Sequence, residues 1–145
     1  MATVGTAELL VDLAAAWTAH DVEKVLSLCT EDCTYEDVAL GAVNRGKGEL
    51  RAFANGVFAA FPDFKMNVTC ALVTGNGAAM EWTMTGTHKG DLPGMPTTNK
   101  SFTVRGASMC EIQEGRIKRI SDYWDRHGFL TQIGLVKGPG VREIS

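Results

Sequence analysis

The sequence predicts an α+β fold in which three N-terminal helices pack on a curved antiparallel sheet and a short helix ends the domain. Apolar side chains recur at helical spacing up to residue 61. Residues 64–124 instead alternate between apolar and polar side chains, in long segments joined by short turns. With 145 residues, the chain has room for one domain, which we assign to residues 1–145. A curved sheet that wraps around helices forms a cone, and the mouth of a cone is a pocket.

The three N-terminal helices are predicted from their caps, their stops and their apolar faces. Thr6 and Asp21 are candidate N-caps for the first two helices. The third begins at residues 46–48, and Pro62 ends it. The predicted inner faces consist of Leu10, Leu13, Ala14 and Trp17, then Val22, Val25, Leu26 and Cys29, then Leu50, Phe53, Ala54, Val57, Phe58 and Phe61.

A short extended segment at residues 33–37 precedes four long predicted strands. Turns are predicted at residues 75–77 and 113–115, and a loop rich in Gly and Pro at residues 90–99. Asp125 is a candidate cap for the last helix. The predicted inner faces of the strands consist of Phe64, Met66, Val68, Cys70 and Leu72, then Met80, Trp82, Met84, Gly86 and His88, then Phe102, Val104, Gly106, Ser108, Cys110 and Ile112, then Ile120, Asp122 and Trp124.

Charge and hydropathy exclude several classes of partner. Lys and Arg number 14 against 17 Asp and Glu, so the net charge is −3. A weakly acidic chain with no basic cluster is not expected to bind nucleic acid or an anionic membrane. No apolar run is long enough to cross a bilayer. Residues 1–17 resemble an amphipathic helix rather than a signal peptide, so we predict a cytoplasmic protein.

The four cysteines predict neither a disulfide framework nor a zinc site. Cys29 and Cys33 have no second pair at metal-ligand spacing, and Cys70 and Cys110 stand alone. We therefore expect buried thiols in a reducing compartment. Motifs for phosphate, dinucleotide or serine-nucleophile chemistry are missing from the sequence. The prediction is a site without metal and without cofactor.

Asp122 is the strongest candidate for chemistry. It shares a strand face with Ile120 and Trp124. If that face is the inner one, the carboxylate lies in an apolar cavity, where burial raises its pKa toward neutrality. Such a carboxylate suits proton abstraction next to a carbonyl group. The alternative is that this face points outward, or that Asp122 only accepts structural hydrogen bonds.

Several other side chains are candidates for contacting a ligand. His88 shares a strand face with Trp82, and Ser108 lies on the inner face of the next strand. Tyr35 lies in the early extended segment, and Trp124 follows Asp122 on the same face. A histidine near the end of a strand is also commonly structural, so that alternative stays open for His88.

Two apolar residues, Leu92 and Met95, lie in the otherwise polar loop at residues 90–99. One interpretation is that they fold over the cone mouth and exclude water from Asp122. The other is that they seal the hydrophobic core or a dimer contact, because exposure would forfeit about 1.5–3 kcal/mol per side chain.

Four segments resemble the SnoaL-like polyketide cyclases of the nuclear-transport-factor-2-like superfamily. They are residues 16–37, 46–68, 86–106 and 115–135, and the likeness extends over residues 8–135. The resemblance implies a cone-shaped α+β fold. It also implies an intramolecular aldol ring closure of a polyketide ester without metal, in which an aspartate on the last strand is the general acid and base. That position falls on Asp122.

The chain departs from the antibiotic-pathway cyclases at two positions of the third long strand. It has Ser108 where they place a histidine and Gly106 where they place a glutamine. The resemblance therefore implies a pocket of different polarity and a substrate other than an anthracycline precursor.

A second relative, the ketosteroid isomerases of the same superfamily, resembles the chain at residues 35–41. Asp37 falls on the catalytic base of those enzymes, which makes Asp37 a secondary candidate. Their hydrogen-bond donors fall on Leu13 and Ala107, which cannot donate through their side chains. Steroid isomerase chemistry is therefore disfavoured.

The leading hypothesis is a cofactor-independent acid/base enzyme that acts on an apolar carbonyl compound. The alternatives are a non-catalytic ligand-binding protein, or an isomerase, hydroxylase or epoxide hydrolase of the superfamily. Epoxide opening resembles sites with an Asp–Arg–Asp set, but Arg105 and Arg119 are predicted to face outward. A homodimer is predicted through the weakly charged outer sheet face, formed by Thr83, Thr85, Thr87, Thr103, Ala107 and Met109.

Overall fold

The computed structural model describes residues 2–136, with side chains from residue 5 onward. Its helices and strands follow the predicted order, and the α+β class with a short final helix is confirmed. The elements are α1 (Ala2–Thr18), α2 (Val22–Ser27), β1 (Cys29–Asp37), β2 (Ala42–Arg45), α3 (Gly46–Ala60), β3 (Lys65–Thr74), β4 (Gly77–Thr87), β5 (Ser101–Gln113), β6 (Arg116–Trp124) and α4 (Arg126–Gln132).

The six strands form one sheet in the order β2-β1-β6-β5-β4-β3. Neighbouring strands are antiparallel except β1 and β6, which are parallel. The prediction of a wholly antiparallel sheet is therefore wrong at this pair, and β1 begins at Cys29 rather than Cys33. Because β1 and β6 are distant in sequence, no local turn signal could reveal their pairing. Their register places Asp37 directly beside Asp122.

Two of the three predicted helix caps are present. The Lys24 amide donates to Asp21 at 3.0 Å, and the Gly128 amide donates to Asp125 at 2.8 Å. The assignment of Thr6 as an N-cap is wrong, because α1 begins upstream and Thr6 is buried within the helix. No proline interrupts residues 2–6, so the helix can extend through that segment despite Gly5.

The predicted inner face of β3 is correct only in its first half. The register against β4 shifts between Val68 and Cys70, which is the signature of a β-bulge. The extra residue reverses the alternation, so Cys70 and Leu72 are exposed, the latter by 67%. Ala71 and Val73 contact the core instead. The expectation that every cysteine is buried is therefore wrong for Cys70.

The inner faces of β4 and β5 follow the predicted alternation, and so does β6 from Ile120 onward. A register shift between β5 and β6 also turns Ile117 inward, which the alternation did not predict. Helix α1 packs on β3, α3 packs on β1, and α4 packs on β5, so the helices cover one side of the sheet. The hairpin between β5 and β6 turns at Glu114 and Gly115, whose φ angles are +51° and +74°. Two consecutive positive φ angles match the twist of the flanking strands. The buried inward side chains of these three strands are Ala78, Met80, Trp82, Met84, Phe102, Val104, Ser108, Cys110, Ile112, Ile117, Ile120 and Asp122.

Candidate active site

A small cavity of about 60 Å³ lies between the helices and the inner face of the sheet. Among the described residues, three polar side chains line it, namely Tyr35, Asp37 and Asp122, and no Lys, Arg or His does. The aliphatic and thioether lining consists of Leu40, Val57, Met66 and Met84. The aromatic lining consists of Trp17, Phe53, Phe64, Trp82, Phe102 and Trp124.

Asp122 lies on β6 with its side chain turned into this cavity, and only 8% of the residue is exposed. The Ser108 hydroxyl donates to Asp122 Oδ1 at 2.6 Å, and Trp82 Nε1 donates to Ser108 Oγ at 2.8 Å. Within residues 5–136, no hydrogen bond engages Asp122 Oδ2. One carboxylate oxygen is therefore fixed, and the other is available to exchange a proton with a ligand.

Burial raises the pKa of Asp122 to about 7, because the ionised carboxylate loses its hydration. The hydrogen bond from Ser108 acts in the opposite direction, and the charge of Asp37 raises the pKa further. Near neutral pH both protonation states of Asp122 are therefore populated, which is the condition for a group that both accepts and returns a proton.

Asp37 lies beside Asp122 and is also buried, with 8% of the residue exposed. Trp124 Nε1 lies 3.1 and 3.2 Å from its two carboxylate oxygens, and the Leu40 amide donates to Oδ1 at 2.9 Å. Burial raises the pKa of Asp37, while the Leu40 amide and the Trp124 indole partly offset that rise. Asp37 thus has donors on both oxygens, whereas Asp122 keeps one oxygen unengaged.

Tyr35 is the third polar group of the cavity and is 1% exposed. Its hydroxyl oxygen accepts a hydrogen bond from Trp17 Nε1 at 2.9 Å. Burial, with the nearby Asp122 charge, raises the pKa of Tyr35 well above its ordinary value. The phenol is therefore protonated throughout the physiological range.

Each of the chain's three tryptophans donates its indole N–H to a polar group at this site. Trp17 donates to Tyr35, Trp82 to Ser108, and Trp124 to Asp37. A buried indole N–H needs a hydrogen-bond acceptor. The ring of each tryptophan therefore contributes apolar surface, while its N–H holds one polar group in position. Sequence reasoning treated Trp17 only as a core residue. Because a buried indole N–H needs an acceptor, the position of Trp17 on the inner face of a helix could have predicted a polar partner.

The structure brings five of the predicted site residues to the cavity: Tyr35, Asp37, Trp82, Asp122 and Trp124. Ser108 does not line the cavity but lies behind Asp122 as its hydrogen-bond donor. Sequence reasoning did not single out the contributions of α3 and of the loop after β1. These come from Phe53, Val57 and Leu40.

His88 is fully buried but does not line the cavity. Its Nδ1 lies 3.4 Å from Thr98 Oγ1, its ring packs against Phe61, and its Nε2 has no hydrogen-bond partner among the described residues. Its backbone binds Asn99 and Lys100, so the residue closes the base of the loop that follows β4. This placement favours the structural interpretation of His88.

Leu92 and Met95 pair through their backbones and pack against the hydrophobic core. Neither lines the cavity. The placement favours the interpretation in which these side chains seal the core over the one in which they cover a ligand.

Replacing Gly106 by Ala is expected to disturb the hydrogen bonds behind Asp122. A Cβ at Gly106 would overlap the ring of Trp82, the donor to Ser108. We expect a loss of about 1–3 kcal/mol in the free energy of unfolding, as for other overpacked cores. Gly56→Ala is the matched control, because a Cβ there meets nothing within 4 Å on an exposed helix position. Thermal denaturation of both variants provides the measurement, and equal melting temperatures would contradict the prediction.

The described part of the chain contains no cluster of three or more His, Cys, Asp or Glu residues able to hold a metal ion. Over the same residues, no helix is long and apolar enough to cross a membrane.

Known structures share this architecture. A hypothetical protein with a ketosteroid isomerase-like fold from Catenulispora acidiphila, in complex with trimethylamine, has a TM-score of 0.80 at 26% identity and covers 89% of this chain and 94% of its own. TsrD from Streptomyces laurentii has a TM-score of 0.82 at 21% identity, covering 92% and 97%. A protein assigned as a SnoaL-like polyketide cyclase from Jannaschia sp. CCS1 has a TM-score of 0.82 at 17% identity, covering 94% and 95%.

These likenesses define the class, an α+β cone of the ketosteroid isomerase-like kind with a pocket between helices and sheet. The model of the SnoaL-like polyketide cyclase family matches residues 7–133, and the chain belongs to that family. The resemblance noted from the sequence is thereby confirmed. No curated protein has a significantly similar sequence.

Proposed function

We propose that the protein is a cofactor-independent acid/base catalyst that moves a proton next to a carbonyl group, as in the aldol ring closure of a polyketide ester. The observation that carries the proposal is the Asp122 carboxyl group, which is buried in an apolar cavity with one oxygen unengaged and a pKa of about 7. In an intramolecular aldol closure one such group can serve as both base and acid, because the α-carbon and the electrophilic carbonyl belong to the same substrate.

The proposed reaction conserves protons. Ionised Asp122 removes a proton from the α-carbon, and the C–H electron pair becomes the enolate. The enolate carbon attacks the second carbonyl carbon and forms the new C–C bond. The neutral Asp122 then returns the proton to the alkoxide oxygen. Positioned proton transfer of this kind contributes about 10²–10⁴-fold to the rate.

The lining of the cavity restricts the substrate. Because no cationic side chain lines it among the described residues, a carboxylate or phosphate ester would meet two carboxylates without a counter-charge. A neutral ester or ketone avoids this repulsion. The volume of about 60 Å³ is well below the 300–1,000 Å³ usual for ligand pockets. A polyketide is therefore too large to be enclosed by the cavity at this volume.

The exchange of α-hydrogens for deuterium in a small 1,3-dicarbonyl compound tests this function without knowledge of the natural substrate. Methyl acetoacetate is neutral and small. We expect the protein to accelerate the exchange of its α-hydrogens for deuterium in D₂O, monitored by proton NMR, with Glu36→Gln as active as the wild type. Glu36 lies on β1 between Tyr35 and Asp37 but does not line the cavity. An exchange rate equal to that of buffer would contradict the proposal.

A second candidate function is the binding of a small alkylammonium ion. Three indoles and three phenylalanine rings surround two carboxylates, and cations bind the faces of such rings with about 0.5–2 kcal/mol per contact. The structural neighbour from Catenulispora acidiphila was solved in complex with trimethylamine. The two carboxylates attract a cation, and no cationic side chain among the described lining residues opposes them.

Comparison of trimethylammonium with tert-butanol, a neutral compound of similar shape, separates the two functions. The cation-binding function predicts tight binding of trimethylammonium only, and weaker binding in the Asp37→Asn variant. Equal affinities for the two compounds, measured by calorimetry, would leave no support for a cation site.

Among the superfamily activities, epoxide opening by an Asp–Arg–Asp set is the least supported. Arg105 is exposed and Arg119 bonds Glu111 and Ser121, and neither lines the cavity. We also propose a cytoplasmic location, because the four cysteines are unpaired, as is usual in a reducing compartment.

We further propose a homodimer through the outer face of the sheet. Leu72, Met109 and Tyr123 are 67%, 52% and 47% exposed there, on β3, β5 and β6. Burying such apolar side chains in a symmetric interface is favourable. Light scattering at micromolar concentration should give twice the chain mass of 15.6 kDa. Met109→Glu should shift the mass toward the monomer, whereas Val11→Glu on α1 should not. A monomeric wild type would contradict the proposal.

A further inference from the structure

We propose that the hydroxyl group of Tyr35 donates a hydrogen bond to the carbonyl oxygen of the ligand while Asp122 exchanges the proton. The catalytic part of this inference rests on the proposed function. Tyr35 would supply the hydrogen-bond donor to the carbonyl oxygen that Asp122 does not provide. Removing a proton next to a carbonyl group transfers negative charge to the carbonyl oxygen, and a donor at that oxygen stabilises the charge as it develops.

The hydrogen bonds of Tyr35 are half complete. Its oxygen accepts from Trp17 Nε1 at 2.9 Å, but the hydroxyl proton has no acceptor among the described residues. A buried donor without a partner costs about 1–3 kcal/mol. Tyr35 is 1% exposed and lines the cavity, so a ligand oxygen in the cavity is the acceptor within reach of this proton.

The register of the sheet places this donor on the correct side of the cavity. Tyr35 pairs with Ile120, and Asp37 pairs with Asp122, so Tyr35 and Asp122 are diagonal neighbours on adjacent strands with both side chains facing inward. A small carbonyl compound between them would offer its oxygen to one and its α-hydrogen to the other.

The neighbours of Tyr35 strengthen its hydroxyl as a donor. Donation from the Trp17 indole polarises the O–H bond, as in other hydrogen-bond chains. Aromatic contacts hold that indole in place, with ring centroids 6.1 Å from Phe64 and 6.4 Å from Phe53. The nearby ionisable groups are Asp122, Cys29 and Cys110, and each disfavours the tyrosinate. Tyr35 therefore remains a donor while Asp122 titrates.

The test is the Tyr35→Phe variant, which removes one oxygen and keeps the ring. Tyr123→Phe is the matched control, because Tyr123 is the other tyrosine of the chain and lies 47% exposed on the outer face. For the deuterium exchange of methyl acetoacetate, we expect kcat to fall about 10–10³-fold in Tyr35→Phe, with KM nearly unchanged. Tyr123→Phe should retain wild-type kinetics. Equal kcat in all three proteins would overturn the catalytic role.

A second readout does not depend on turnover. The carbonyl stretch of ¹³C-labelled cyclopentanone, recorded by infrared difference spectroscopy on the bound ketone, moves to lower frequency when its oxygen accepts a hydrogen bond. We expect a lower frequency in the wild type and Tyr123→Phe than in Tyr35→Phe. Identical frequencies would overturn the proposed contact. A frequency difference without any exchange activity would retain Tyr35 as a binding group and reject the catalytic function. Failure of cyclopentanone to bind the wild type would contradict both.

Discussion

Replacing Asp122 by Asn is expected to lower the deuterium exchange of methyl acetoacetate about 10²–10⁴-fold, because the amide cannot take up the α-proton. The substitution preserves the size of the side chain. The amide oxygen can still accept the hydrogen bond from Ser108 that holds Oδ1 at 2.6 Å. The loss should therefore fall on kcat. Equal turnover in the two proteins would remove Asp122 from the mechanism.

The same variant should change how stability depends on pH. The pKa of Asp122 is raised to about 7 in the folded protein, against about 4 in an unfolded chain. The folded state therefore holds the proton more tightly, and its contribution to stability is complete below pH 4. That contribution falls as the pH rises from 4 and is absent above pH 7.

Asp122→Asn does not titrate, so its free energy of unfolding relative to the wild type should increase from pH 4 to pH 8. The increase should be on the order of a few kcal/mol, from 1.36 kcal/mol per unit of pKa. Urea denaturation at several pH values provides the measurement. Parallel stability curves for the two proteins would show that Asp122 has an ordinary pKa.

Replacing Asp37 by Asn is expected to lower the pKa of Asp122. Asp37 is the register partner of Asp122, and its negative charge raises the pKa of its neighbour. The Asn side-chain oxygen can still accept from the Leu40 amide or the Trp124 indole. The main change is therefore the lost charge. The pH dependence of the exchange reaction should move toward lower pH, because Asp122 ionises earlier.

Glu36→Gln is the matched control for Asp37→Asn. Glu36 is adjacent in sequence, but its carboxylate accepts from Ser121 rather than lining the cavity. The control removes one charge from the same strand and should leave the pKa of Asp122 almost unchanged. Equal effects of the two substitutions would mean that general charge, not the neighbouring carboxylate, sets the pKa.

Local patterns predicted the fold well wherever they act over a few residues. The alternation along β4, β5 and β6 assigned the predicted inner-face residues correctly. Successive side chains of a strand point to opposite faces, so a few neighbouring residues are enough to define each face. The same rule assigned the second half of β3 incorrectly. The bulge after Val68 follows from pairing with β4, and no glycine marks it in the sequence.

The candidate site was predictable only in part. Asp122 follows from alternation, since a carboxylate on an apolar strand face is unusual. Its proximity to Asp37 depends on parallel pairing between strands far apart in sequence, which periodicity cannot reveal. The link between Trp17 and Tyr35 joins a helix to a strand in the same way. Long-range packing thus determines the hydrogen bonds of the site.

The ionisation of Asp122 tests the central claim most directly. The carboxyl carbon of Asp122 can be assigned by comparing ¹³C spectra of the wild type and Asp122→Asn and then followed across a pH titration. The account predicts a midpoint of about 7, since burial outweighs the hydrogen bond from Ser108. A midpoint near 4 would mean that the carboxylate is ionised and solvated like a surface aspartate, and the proposed acid/base role would be wrong.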